Sequence, residues 1–344
     1  MTRVVARSWW IASAGFMLLL GLCLFSLSFG VSNYGLGDML SLLFSQNFHS
    51  PDPLLATTFF ELRLPRTLAA LLVGGGLALS ATLLQNITRN PLAEPGLLGV
   101  NAGGVLGLVI GLTYWGAESV ESYLLWAGGG ALLANVVVLA IGGLSRRTSP
   151  PRLILIGVAV SATLGGLANF ILMSHDTALD QFRFWNLGSL SGVKLSSVAG
   201  VAPFVIASWL VVILIKRSLA AMQLGDDQAK AMGVPTEFVR IAVWLLTATM
   251  TAGAIALAGP IIFAGFLAAS LARTLAPTYF GRQALYSWLA GMILALISDN
   301  FARWIVKPFE VPISVVIALI GAPFMIAVTR SRTFRSALIG DYQL

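Results

Sequence analysis

Three arginines have the side-chain chemistry and the positions that most restrict what this chain can do. Arg63 and Arg66 flank a proline and open an uncharged run from Thr67 to Thr88, and Arg303 stands close to the end of a later apolar run. A guanidinium group binds a carboxylate through two parallel hydrogen bonds. The alternative is that these long side chains extend to lipid headgroup phosphates. Both roles fit arginines at the outer end of their helices.

A second group of polar side chains lies in the stretch 218–234, SLAAMQLGDDQAKAMGV. Its charges are typical of a water-exposed segment, and its apolar residues allow it to pack against other surfaces. Two short helices that meet near Gly225 fit the pattern, because Asp226 or Asp227 can lie near a helix start. A cytoplasmic connector that has no partner is the alternative.

Motifs for nucleotide and metal chemistry are missing from the sequence. No G-x-x-x-x-G-K-[ST] motif is present, so phosphate binding and ATP hydrolysis are expected on another chain. Cys23 is the only cysteine, and His49 and His175 fall in predicted outer loops, so we expect neither a metal site nor a bound cofactor. A proton-coupled carrier normally needs buried carboxylates or histidines. The centres of the apolar runs carry almost no ionisable groups, and Asp299 lies near the outer end of its run, close to Arg303.

The composition is that of a membrane protein with many spans. Hydrophobic residues make up 57% of the 344 residues, charged residues only 10%, and the mean hydropathy is +0.87. We therefore predict an all-α fold, a single membrane domain over residues 1–344 with about ten transmembrane helices, and a short extra helix near Phe182–Leu187. The predicted spans, cut at charges and turns, are 9–30, 64–87, 95–113, 122–144, 153–174, 195–215, 241–258, 261–276, 284–305 and 311–329.

The charge distribution predicts the orientation of the bundle. Lys and Arg concentrate in the loops on the side of the N-terminus, which the positive-inside rule places in the cytoplasm, and an even number of spans puts the C-terminus there too. Four tryptophans, Trp115, Trp126, Trp185 and Trp304, fall near the predicted outer interface, where indole rings prefer to lie. The net charge of +7 therefore reflects topology, and no nucleic-acid partner is expected. The first apolar run exceeds the core of a cleaved signal peptide, about 7–15 residues, so we predict a retained span.

Glycines mark the predicted contacts between helices. The three consecutive glycines 74–76 lie in the second span, where another helix could approach closely. Glycines spaced four residues apart form a smooth stripe on one face of a membrane helix. The third span carries four such glycines: Gly99, Gly103, Gly107 and Gly111. Residues 63–104 are thus predicted to form a helical hairpin within the bundle.

Four segments carry a resemblance to a known family. They are RLPRTLAALLVGG and RNPLAEPGLLGVNAGG within 63–104, GPIIFAGFLAASLAR at 259–273 and GAPF at 321–324. With them the chain resembles the permease subunits of ATP-driven importers for iron–siderophore complexes and vitamin B12, over most of its length. One place departs from the pattern, since the family usually has proline and histidine where this chain has Ala269 and Ser270. That departure leaves the role of the adjacent cytoplasmic loop open.

The resemblance implies a role for both groups of polar residues. Arg63, Arg66 and Arg303 occupy places where the family's arginines receive carboxylates from a soluble substrate-binding protein. The stretch 218–234 looks like the coupling helix, which sits in a cleft of the ATPase subunit and transmits its closure. The residues matched to the coupling helix are Leu224, Gly225, Asp226, Asp227, Ala229 and Gly233.

The resemblance also implies an assembly and a cargo. We expect a second permease, either the same chain or a related one, two ATPase subunits that bind ATP and magnesium on the inside, and a binding protein on the outside of a bacterial cytoplasmic membrane. The expected cargo is an iron(III)–siderophore complex, with vitamin B12 or haem as lesser options. A secondary carrier of a small organic solute that works alone is the alternative, and it would need a coupling-ion residue that the sequence lacks. A membrane enzyme or receptor would need a polar constellation within the spans.

Overall fold

The structure is a computed structural model that describes residues 2–30, 34–35, 37–38, 41, 53–117, 119–143, 150–276, 279–306 and 309–330. All regular secondary structure in these ranges is helical, which confirms the predicted all-α fold. His49 and the predicted cytoplasmic C-terminus lie outside the described residues.

The first part of the described chain contains seven α-helices and two irregular helical segments. In chain order these are α1 (Thr2–Ser28), α2 (Pro53–Thr57), a π-helix (Thr58–Arg63), α3 (Leu64–Thr88), a 3-10 turn (Pro95–Leu98), α4 (Val100–Trp115), α5 (Val120–Gly143), α6 (Pro150–Leu172) and α7 (Asp176–Asn186). The rest of the described chain is α-helical apart from its connections. It contains α8 (Leu195–Gln223), α9 (Asp226–Ala231), α10 (Thr236–Ala258), α11 (Ala264–Leu275), α12 (Phe280–Trp304) and α13 (Ile313–Arg330).

The apolar helices coincide with the predicted membrane spans. In the described part of the chain, seven helices are long and apolar enough to cross a membrane, and three shorter apolar helices accompany them. The shorter ones are Val100–Trp115, Ala264–Leu275 and Ile313–Ala327. The chain is therefore a polytopic membrane protein, while the number of crossings and the side of each terminus stay predictions.

Helix α3 lies at the centre of the bundle because almost all of its residues are small or apolar and buried. It packs against α12, α10, α11 and α8. The closest approach is the crossing with α12, where a Cβ atom on Gly74 would lie 2.3 Å from the carbonyl oxygen of Gly291. A Cβ atom on Gly291 would in turn lie 2.3 Å from the carbonyl oxygen of Gly74. Small residues of this kind let two membrane helices meet backbone to backbone.

We expect the substitution Gly74→Ala to destabilise the bundle by about 1–3 kcal/mol, because an added methyl group overpacks the crossing with α12. Thermal unfolding in detergent should show a lower midpoint. Gly166→Ala is the matched control, since no atom lies within 4 Å of a Cβ atom at that helical position. An unchanged midpoint for Gly74→Ala would contradict the crossing.

Helix α4 packs against α5 and α6 and diverges from α3, so the predicted helical hairpin of consecutive spans does not form. The glycine face of α4 contacts α5. A Cβ atom on Gly103 would lie 2.5 Å from the carbonyl oxygen of Gly130, and one on Gly107 would lie 2.2 Å from that of Trp126. Gly111 faces the Trp126 ring. Gly99 differs from the other three, because it precedes α4 with a φ of +83° and belongs to the turn that starts the helix.

The chain breaks between α10 and α11, as the Gly259–Pro260 pair in the sequence predicts. Gly259 has a φ of +73°, and a Cβ atom there would lie 2.5 Å from the carbonyl oxygen of Trp185. Only glycine meets both requirements. With 12 residues, α11 is about 18 Å long at 1.5 Å per residue. This length is too short to cross a hydrocarbon core of about 30 Å.

Candidate functional site

The three arginines singled out in the sequence come together at one end of α3 and α12. Arg66, in the first turn of α3, is buried and bonded to two acidic side chains. Its Nε atom lies 2.8 Å from Oδ1 of Asp299, and its Nη1 atom lies 2.7 Å from Oε2 of Glu310. Asp299 lies in α12, and Glu310 lies just before α13. The start of α3 is therefore tied to both of the last two helices.

Arg303 shares Asp299 with Arg66. Its Nη2 atom lies 2.8 Å from Oδ2 of Asp299, one helical turn away. The same guanidinium group donates hydrogen bonds to Ser26 Oγ at 2.7 Å and to Asn300 Oδ1 at 2.8 Å. Because Ser26 belongs to α1, Arg303 holds the end of α1 against α12.

Arg63 completes the group. Its Nη1 atom donates a hydrogen bond to the carbonyl oxygen of Leu27 at 2.9 Å and to that of Tyr34 at 3.2 Å. We call Arg63, Arg66, Arg303, Asp299 and Glu310 the arginine cluster. Among the described residues it brings together three guanidinium groups and two carboxylates.

The exposure of these arginines differs from what their positions in the sequence indicate. Arg63, Arg66 and Arg303 are only 4%, 9% and 4% exposed, so their guanidinium groups do not project freely into solvent. Asp299 and Glu310 compensate the buried charges of Arg66 and Arg303, and Arg63 donates hydrogen bonds to carbonyl oxygens. Asp299 was recognisable beside Arg303, since the two are one turn apart on a helix. Glu310 was missed because it is 244 residues from Arg66 in the sequence.

The second candidate site lies in the stretch 218–234, which the sequence predicts to couple the permease to an ATPase. Helix α8 continues to Gln223, so the first of the two predicted short helices is the end of a long helix. Gly225 follows with a φ of +126°, a conformation that residues with a side chain rarely adopt. The short helix α9 then runs from Asp226 to Ala231, and Gly233 leaves it with a φ of +79°. We call residues 224–233 the coupling segment.

One face of the coupling segment holds it to the bundle and another is exposed. Ala229 is completely buried, and Asp226 bonds to two arginines. Its Oδ1 atom lies 3.2 Å from Arg89 Nη2, and its Oδ2 atom lies 2.6 Å from Arg240 Nη2. On the exposed side, Leu224 and Met232 are 60% and 64% exposed, and Asp227 is also exposed. The sequence did not reveal that Arg89 and Arg240 hold Asp226.

The departure at residues 269–270 lies on α11, a helix that packs against α3. Ala269 is buried, whereas Ser270 is half-buried and its carbonyl oxygen accepts a hydrogen bond from Thr274. Arg273, one turn further on, bonds to the side chain of Gln85 in α3. Arg273 therefore anchors α11 to α3.

Comparison with known proteins identifies the family. The model of the FecCD transport family matches residues 18–331. The chain belongs to the FecCD transport family. The family is one of transporter permeases, so the resemblance found in the sequence is confirmed.

Named relatives of this FecCD protein cover most of its length. It is 39% identical to the ferric enterobactin transport system permease protein FepD of Escherichia coli (strain K12), over 80% of this chain and 83% of that protein. It is 34% identical to the Fe(3+)-citrate import system permease protein YfmD of Bacillus subtilis (strain 168), over 89% and 90% of the two chains. Among solved structures, it matches one described as a metal-chelate type ABC transporter in an inward-facing conformation. The TM-score is 0.80 with 27% identity, over 92% of this chain and 97% of that one.

Proposed function

We propose that this FecCD protein is the membrane-spanning subunit of an ATP-driven importer that carries an iron(III)–siderophore complex into the cytoplasm. The observation that carries the proposal is the similarity to FepD, whose name specifies ferric enterobactin, over 80% of the chain. The similarity to an Fe(3+)-citrate permease supports the wider class of iron chelates. The protein would reside in the cytoplasmic membrane of a bacterium.

The coupling segment is the proposed contact with an ATPase subunit, which would bind ATP and magnesium. Exposed Leu224 and Met232 flank a short helix whose acidic end is held by Arg89 and Arg240. Apolar side chains on a rigid protrusion suit insertion into a cleft of another protein. Each of the two expected ATPase subunits would need one coupling segment. A second permease, either a copy of this chain or a related one, would supply the second.

The proposed path of the chelate runs along a groove of about 420 Å³ in the exposed face formed by α4, α7 and α13. Asn101, Asn186 and Ser314 place polar groups in this groove among apolar side chains. The break at Pro260 also faces it. Irregular backbone at membrane depth is tolerated where it borders a cavity, and transporter sites commonly use such interrupted helices.

The arginine cluster is the proposed docking site for an acidic side chain of a substrate-binding protein. Guanidinium groups bind carboxylates through charge-assisted hydrogen bonds. Glu310 is the most accessible of its acids, with a side chain that is 28% exposed. A carboxylate of the docking protein would replace Glu310 at Arg66, whereas Asp299 would stay in place beneath it.

We expect Glu310→Gln to strengthen the binding of the substrate-binding protein about five- to tenfold, because the carboxylate that competes for Arg66 loses its charge. The affinity is measured by surface plasmon resonance with the permease assembly in nanodiscs. Glu237→Gln is the control, since Glu237 is exposed at the start of α10, next to the coupling segment and on the predicted inner side. Equal affinities of Glu310→Gln and the unchanged protein would sink the assignment of the cluster as a docking site.

The proposed function is tested by purification of the tagged chain in mild detergent, followed by identification of the chains that purify with it. We expect an ATPase subunit to be recovered. Liposomes containing the assembly should then take up radioactive iron(III)–siderophore only when ATP and the binding protein are supplied. Uptake by the chain alone, without nucleotide, would overturn the proposal in favour of a secondary carrier.

A further inference from the structure

Two residues have a strained backbone, and both belong to or contact the short connection that follows α3. Arg89 begins this connection, and Phe263 is bonded to its other end. Arg89 and Phe263, with φ of +50° and +70°, are the non-glycine residues with positive φ in the described part of the chain. A left-handed conformation costs a residue with a side chain on the order of 1–2 kcal/mol. Such conformations persist where surrounding contacts fix them, and they are concentrated at sites that switch or bind.

The first strained residue is attached to the coupling segment. Arg89 follows α3 directly, and its Nη2 atom lies 3.2 Å from Asp226 at the start of α9. The two side chains are 53% and 42% exposed, so the ion pair contributes little stability, typically below about 1 kcal/mol. The ion pair instead fixes the position of Arg89 relative to α9, because Asp226 is held at the same time by Arg240 of α10.

The connection that follows Arg89 is internally bonded. The side chain of Asn90 accepts a hydrogen bond from the backbone nitrogen of Leu92 at 2.9 Å. The backbone nitrogen of Ala93 donates to the carbonyl oxygen of Asn90 at 3.0 Å, and Ala93 is 5% exposed. We call residues 89–94 the 89–94 turn. Because its own hydrogen bonds fix its shape, the turn moves as one unit.

The far end of the 89–94 turn is attached to the second strained residue. The Oε1 atom of Glu94 accepts a hydrogen bond from the backbone nitrogen of Phe263 at 2.9 Å. Phe263 immediately precedes α11, at the break after α10. It also touches α13, since a Cβ atom on Gly321 would lie 2.6 Å from Cβ of Phe263. Glu94 therefore fixes the position of a residue that lies between α11 and α13.

We propose that the 89–94 turn transmits movement of the coupling segment to the α10–α11 break, and that Glu94 is the positioning residue that makes this connection. The inference rests on the proposed function of the coupling segment. When an ATPase moves α9, Asp226 moves Arg89, the turn carries the displacement, and Glu94 shifts Phe263 against α13. The path adds to a direct link, since Asp226 also bonds Arg240 near the start of α10.

The test compares Glu94→Ala with Glu94→Gln in liposomes that contain the complete importer. The amide oxygen that Glu94→Gln introduces can still accept the Phe263 N–H, so this variant should keep most of the uptake per ATP hydrolysed. Glu94→Ala should retain the ATPase subunit and hydrolyse ATP, while its uptake per ATP falls about tenfold. Gly166→Ala on α6, where no atom lies within 4 Å of an added Cβ atom, is the control, with an unchanged ratio.

A double substitution separates transmission from a general structural effect. If Asp226 and Glu94 act in series, Asp226→Asn combined with Glu94→Ala lowers uptake per ATP no further than Glu94→Ala alone. Multiplied losses, or a Glu94→Ala importer with the ratio of the unchanged protein, would overturn the inference. Absence of ATP-driven uptake by the unchanged protein would instead refute the proposed function, so the two failures are distinguishable.

Discussion

The substitution Asp299→Asn is expected to destabilise the protein by about 3–5 kcal/mol, because it leaves the buried Arg66 and Arg303 without their shared counter-charge. Asp299 is completely buried and lies 2.8 Å from both guanidinium groups. Glu310 still contacts Arg66, whereas Arg303 keeps only neutral partners. The loss should appear as a large fall in the thermal unfolding midpoint in detergent.

Two companion variants show whether burial causes the loss. Asp180→Asn removes an ion pair whose side chains are 66% and 72% exposed, and it should change the midpoint little. Glu310→Gln should give an intermediate result, since Glu310 is partly exposed. If Asp299→Asn unfolded no more readily than Asp180→Asn, the buried cluster would not hold α1, α3 and α12 together.

The replacement of both Leu224 and Met232 by glutamate is expected to abolish recovery of the ATPase subunit. Both side chains are largely exposed on the coupling segment, and transfer of two carboxylates into an apolar cleft would cost several kcal/mol. A loss of about 4 kcal/mol lowers affinity about a thousandfold. The quantity measured is the ATPase recovered per permease after affinity purification.

The control for this pair lies at the opposite end of the preceding helix. Leu195 begins α8 and is 44% exposed, so Leu195→Glu changes the charge without touching the coupling segment. That variant should retain the ATPase. Full recovery with glutamate at both positions of the coupling segment would assign the ATPase contact to another surface.

Local features of the fold were predictable from the sequence because they depend on neighbouring residues. The apolar runs coincide with helices, and the Gly259–Pro260 pair predicted the break between α10 and α11, where a positive φ is needed. The partners of each helix were not predictable in the same way. Helices α3 and α4 are consecutive and each contains glycines, yet each packs through its glycines on a different helix, α12 or α5. Nothing in a glycine stripe specifies which complementary surface it meets.

The arginines illustrate the same limit for the candidate site. Their positions at the ends of apolar runs placed them near one surface, and the structure brings them together. Their burial depended on Ser26, Asp299 and Glu310, which come from distant parts of the chain. The coupling segment was easier to interpret, because its glycines and acidic residues lie close together in the sequence. Even there, the contacts of Asp226 with Arg89 and Arg240 depend on the folded arrangement.

The two glycine crossings have a mechanical consequence for transport. At the crossings of α3 with α12 and of α4 with α5, glycines bring backbone against backbone and leave little room for sliding. Packed surfaces of this kind resist shear, so each pair should travel as a rigid block. Hinge motion must then be confined to the connections between blocks, including the glycine junctions at 225 and 259. Crosslinks placed within either pair should therefore be compatible with a full transport cycle, whereas crosslinks between the pairs should arrest it.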